Sequence, residues 1–184
     1  MTLKPELMIP DCEALRNHVA ISERNADRAK LSLAAIDCFE AATNKKELLE
    51  TDLLTIVSAA GSPNLGPCYI GLELLLRLSG DFPAVESVWR KLAQSKQAYQ
   101  RRIAIVAVRD ERVSFALAQG LVRTAILDRS AKVRLFAVET VLIRYMDLLL
   151  PEIIAQARVE KDPEVLECIQ WVIQHMSNGE SAPQ

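Results

Sequence analysis

The most constraining feature of the 184-residue chain is a recurrence in its second half. Placing Ala104 under Ala137 and Ile169 gives steps of 33 and 32 residues. In that register Ile103, Phe136 and Cys168 align, as do Ala107, Thr140 and Val172, and then Val108, Val141 and Ile173. Tyr99 can instead align with Val133, so the first unit's register stays open by one residue. Each of these segments follows another amphipathic stretch: Pro83 to Ser95, Glu111 to Leu127, and Leu148 to Glu160. Units of two helices with a period in the low thirties cannot bury their apolar faces alone, so they must stack.

Composition supports helix throughout. Leu (25) and Ala (23) dominate while aromatics make up 5%, a balance that favours helix over sandwich or barrel. Apolar spacing is helical at Leu31, Ala34, Ala35, Cys38, Ala41 and Ala42, again at Leu49, Leu53, Ile56, Val57 and Ala60, and at Val85, Val88, Trp89 and Leu92. Ser22 and Asn44 are expected N-caps. Pro67, Pro83 and Pro163 belong at helix starts, and Gly61 and Gly80 at left-handed helix ends. The expectation is an all-α chain of about nine helices. It forms a single domain over 1–184: a helical cap over 11–60, a turn segment over 61–67 that reads as a linker, helical repeats over 68–177 and a flexible tail over 178–184.

Several function classes are disfavoured. The net charge of −2 argues against nucleic acid as a partner. The uncharged run Leu53 to Leu72 is interrupted by Gly61-Ser62-Pro63, which argues against a membrane span. Met1 to Pro10 has no apolar core of signal-peptide length, and four widely spaced cysteines read as buried free thiols, so a reducing cytoplasm is expected. His18 and His175 stand in no metal-ligand spacing, and no phosphate-cradling or nucleophile-elbow motif occurs. The chain is therefore expected to lack catalytic residues, cofactor and metal.

Charge is uneven. Residues 96–134 carry nine Lys/Arg against three acids, and residues 135–184 carry three basic against eight acidic side chains. The basic segment reads either as a belt for an acidic partner or phosphate backbone, or, by preference, as arginines used in repeat turns and on solvated faces. The second helices carry a sharper signal, because Ile103 to Val108 and Val133 to Ile143 are apolar on nearly every side. Such a helix is buried on both faces or holds an interface. Opposite the core stripe, the register gives the rows Arg102–Leu135–Glu167, Val106–Glu139–Trp171 and Arg109–Leu142–Gln174. Arg102, Val106, Arg109, Leu135, Glu139, Leu142 and Trp171 are the candidate partner-binding residues, since aromatics and Arg supply most contact energy.

Asp128-Arg129-Ser130-Ala131-Lys132-Val133-Arg134-Leu135-Phe136-Ala137 resembles the turn and second helix of HEAT-repeat proteins, and Leu150-Pro151-Glu152-Ile153-Ile154 a first helix. Asp162-Pro163-Glu164-Val165 repeats the turn, but Leu166 replaces the usual Arg. The resemblance covers about residues 82–176 and implies an α-solenoid of about three helical hairpins. The all-round apolar second helices and the absence of a catalytic motif point to a non-enzymatic binding role as adaptor, complex subunit or immunity-type inhibitor, with another protein as partner and self-assembly a further option. A shorter stretch, Trp89-Arg90-Lys91-Leu92 and Tyr99 to Val106, is similar to DNA alkylation-repair glycosylases of HEAT-like build. That similarity implies an alternative in DNA binding or base excision; Trp89 and Asp110 are the aromatic and carboxylate nearest to hand, but the family's Trp-and-Asp constellation has no residue-by-residue match.

Overall fold

The computed structural model describes residues 12–22 and 25–177, and the tail expected over 178–184 lies outside them. Among the described residues there are ten α-helices, one 3-10 turn at Asp147–Leu149 and no strand. Contacts gather the chain into two compact units, Met1–Val85 and Glu86–Gln184. The change of unit falls at Val85–Glu86, so the expected linker of 61–67 lies inside the first unit.

The first unit contains α1 (Cys12–Ser22), α2 (Ala26–Lys45), α3 (Glu50–Ala60) and α4 (Leu65–Ser79). Asn25 starts α2: its Oδ1 accepts from the Asp27 and Arg28 N–H groups at 3.0 and 3.1 Å. The expected caps fall elsewhere. Ser22 is the last residue of α1 and Asn44 lies within α2, whose favourable packing outweighs the local preference of Asn for a cap. The buried face of α2 is Ser32, Ala35, Ile36, Phe39 and Ala42. It is rotated from the expected stripe because Ile36 and Phe39 bury more area than the small residues around them.

Helix α4 begins at Leu65, inside the stretch expected as a turn. Gly61 and Gly80 follow helix ends but hold φ of −80° and −74°; the left-handed positions are Lys46 and Tyr145, at φ 53° and 49°. The glycine with a geometric role is Gly71. A Cβ there would lie 2.7 Å from Ala59 C and Ala60 Cα, and nearer still to Ala60 N. Ala59, Ala60 and Gly71 thus let the α3 and α4 backbones approach more closely than two ordinary side chains allow.

The second unit runs from α5 (Ala84–Ala93), which starts at the boundary, through α6 (Ala98–Ala107), α7 (Phe115–Ala125), α8 (Ala131–Ile143), α9 (Leu150–Ala157) and α10 (Pro163–Ser177). Pro83 directly precedes α5 and Pro163 opens α10, as a residue lacking an N–H should. Helix α8 packs against α6, α7 and α10, and α10 also packs on α9. Flanked on both sides, α8 needs apolar residues all round. Ala104, Ala137 and Ile169 are each 0% exposed, and Ala107, Thr140 and Val172 are buried, so these register rows are core rows.

An arginine recurs at the turns. Arg101 donates to Asp128 through Nε at 2.7 Å and a terminal nitrogen at 2.8 Å, and to the Ser95 and Lys96 carbonyls of its own turn. Arg134 repeats the pattern one period later. It donates to both Glu160 oxygens at 2.7 and 2.6 Å and to the Asp128 carbonyl at 2.8 Å. The acids are themselves turn caps: Asp128 accepts from Ser130 N–H, and Glu160 from the N–H groups of Lys161 and Asp162. The shared role of Arg101 and Arg134 favours the 33-residue step between their two segments over the one that aligns Tyr99 with Val133. Each arginine reaches forward to the next turn, and α10 is the last helix described. Leu166 occupies the corresponding position on α10 and makes no such turn bond, having no polar side-chain group.

Candidate interaction surface

The three expected rows lie on α6, α8 and α10, with Arg109 just beyond the end of α6. Arg102, Val106, Arg109, Leu135, Glu139 and Leu142 are half-buried, whereas Glu167, Trp171 and Gln174 are exposed. Because α8 touches both neighbours, the α6 and α10 residues flank the α8 row.

Phe136 organises the α6–α8 side. The Arg102 and Arg109 guanidiniums lie 5.5 and 4.9 Å from its ring centroid, where the ring's negative face attracts a cation. Arg109 also donates to Glu139 Oε2 at 2.7 Å, Thr140 Oγ1 at 3.0 Å and the Phe136 carbonyl at 3.1 Å. The register alignment grouped Phe136 with buried Ile103, yet Phe136 is half-buried and takes its setting from the arginines of α6. No local pattern marks it, because the two arginines stand 34 and 27 residues earlier in the chain.

On α10, the Trp171 ring packs on His175 with centroids 4.3 Å apart, and His175 Nδ1 lies 2.8 Å from the Trp171 carbonyl. Trp171 nevertheless keeps 48% of its surface exposed. Cys168 sits beside Glu139 and Arg109. Burial pushes its thiol up to about 11, with Glu139 adding to the shift and Arg109 opposing it. The four cysteines are free, as expected, but half-buried rather than buried. Their spacing gave no measure of depth.

The basic segment is largely consumed within the fold. Arg101, Arg109, Arg112, Arg123 and Arg134 pair with Asp128, Glu139, Asp110, Glu152 and Glu160, and Arg129 donates to the Lys96 carbonyl. Three of those acids come from the acidic segment 135–184, so the two segments neutralise each other across neighbouring hairpins. Burial pushes the Asp128 carboxyl up, but the Arg101 guanidinium and the Ser130 N–H outweigh it and hold the group below its ordinary range. Glu160 is held down to about 2, chiefly by Arg134 and against the effect of burial.

Trp89 is 0% exposed and cannot stack on a nucleotide, and Asp110 is engaged by Arg112 at 2.8 Å. Neither residue therefore presents an open aromatic face or an unengaged carboxylate. His18 packs near the Tyr69 ring in the first unit, with centroids 6.4 Å apart. Among the described residues no group of His, Cys, Asp and Glu is placed to hold a metal ion, and no helix is long and apolar enough to cross a membrane. Compared with known proteins, the chain matches no family model, no curated protein sequence and no solved structure.

Proposed function

We propose that the chain is a non-enzymatic protein-binding module of HEAT-like helical hairpins, acting as an adaptor, complex subunit or stoichiometric inhibitor in the cytoplasm. The observation that carries this reading is the exposed face of α10, a helix whose other side packs on α8 and α9. Trp171, 48% exposed, shares a register row with Val106 and Glu139, on helices whose other faces are packed. An aromatic held in that position offers contact area at little entropic cost. The solenoid reading draws support from the arginine contacts at Arg101 and Arg134, which follow the 33-residue step.

A tagged wild-type chain and an Arg102→Glu, Trp171→Ala double variant are compared in pull-downs that also score untagged copies of the chain. Loss of one defined partner in the variant is expected. Equal recovery of every partner would remove the proposed face. The DNA alternative is tested by binding to duplex DNA at low salt, where phosphate contacts are strongest; no binding is expected.

A further inference from the structure

The face is polar in a directed sense, and that polarity selects its occupant. In the 33- and 32-residue register Arg102 on α6, half-buried Leu135 on α8 and exposed Glu167 on α10 share one row, and α8 packs between the other two helices. The middle row has Val106 and Trp171 on opposite sides of Glu139. Charge therefore changes sign across α8, and the apolar side chains also face one another in pairs.

We infer that the occupant is a second copy of this chain, docked through a twofold axis that runs along α8 in the plane between the two faces. The inference rests on the docking role proposed above and names its partner. A twofold axis in that position exchanges the two flanks while keeping the level along the helices. It sets Arg102 of one copy against Glu167 of the other, twice, and Val106 against Trp171, twice. Residues on the axis meet themselves. Leu135 then packs on its own copy, which is favourable. Glu139 would be a liability there, but Arg109 already neutralises it at 2.7 Å. An unrelated partner would need the same alternation of charge on its own surface; a second copy has it by symmetry.

Sedimentation equilibrium of the full chain tests this over a hundredfold range of concentration. The wild type is expected to approach twice the 20.5 kDa chain mass. Arg102→Glu and Glu167→Arg each place like charges at both contacts and are expected to weaken the dimer by about 10- to 100-fold. An equimolar mixture of the two variants brings opposite charges together at both contacts, and its mass is expected to return to the dimer value. Glu167 is exposed, so Glu167→Arg alone decides the matter if circular dichroism shows that Arg102→Glu disturbs folding. A wild type that stays at the chain mass overturns the second copy, whereas a partner lost in the pull-down would still support the docking face. A dimer untouched by both substitutions, or a mixture that fails to recover, also overturns the inference.

Discussion

Removing the Arg134 guanidinium probes the turn ladder most directly. In Arg134→Met the aliphatic stem survives, but Glu160 loses two of its five N–H donors and its only bidentate partner. The Glu160 side chain is 1% exposed, so water cannot replace what is lost. Breaking one partner out of a buried pair costs about 3–5 kcal/mol, and the three remaining donors place this case near the low end, about 3 kcal/mol. The pH dependence supplies an independent figure. Glu160 is held down to about 2 in the folded chain, against about 4.3 when unfolded. A depressed carboxyl contributes stability that is fully present above the unfolded value and lost as pH falls through the folded one. At about 1.4 kcal/mol per unit, reduced for solvent screening on the Arg134 side, this gives about 2–3 kcal/mol. Urea unfolding followed by tryptophan fluorescence reads the second unit alone, because Trp89 and Trp171 both belong to it. The difference between wild type and variant is expected to be about 3 kcal/mol at pH 7 and to narrow from about pH 4.5 toward pH 2. A loss below about 1 kcal/mol at pH 7, or one that does not change with pH, would refute the charge-pair account.

Two further substitutions test the first unit. Gly71→Ala gains helix propensity of about 1 kcal/mol, yet its methyl would collide with the α3 backbone. A net loss of about 2 kcal/mol or more is expected, read as a lower thermal midpoint by far-ultraviolet circular dichroism; an unchanged midpoint would show that α3 and α4 can separate without cost. Lys46→Gly relieves a left-handed residue on an exposed helix end and is expected to raise stability by about 1 kcal/mol in the same assay. A fall in stability would mean that the Lys46 side chain contributes more than its backbone strain costs.

The helical character and the core rows of the second half were legible because they rest on spacing. Ala104, Ala137 and Ile169 are buried wherever the register puts them, and the stripe Val85, Val88, Trp89 and Leu92 is buried throughout. Features set by tertiary neighbours were not legible in the same way. Asn25 rather than Ser22 begins α2, and Lys46 and Tyr145 rather than glycines take the left-handed backbone, because local preference yields to the path that packing requires. The candidate rows could be listed by register, but the role of Phe136 depends on two arginines from another helix. Net charge by segment was readable; that four of its arginines pair with acids of a following helix or turn was not, since partners 26 to 30 residues apart leave no local pattern.

The arginine ladder also works as a ruler. Arg101 and Arg134 reach acids 27 and 26 residues ahead. Excising residues 102–134 would therefore set Arg101 directly before Leu135, with Glu160 still at the distance that Arg134 now spans. The bond that locks one hairpin to the next would re-form across the cut. A deletion of that one period would therefore leave the Arg–acid spacing intact, where a deletion of any other length between Arg101 and Glu160 would not.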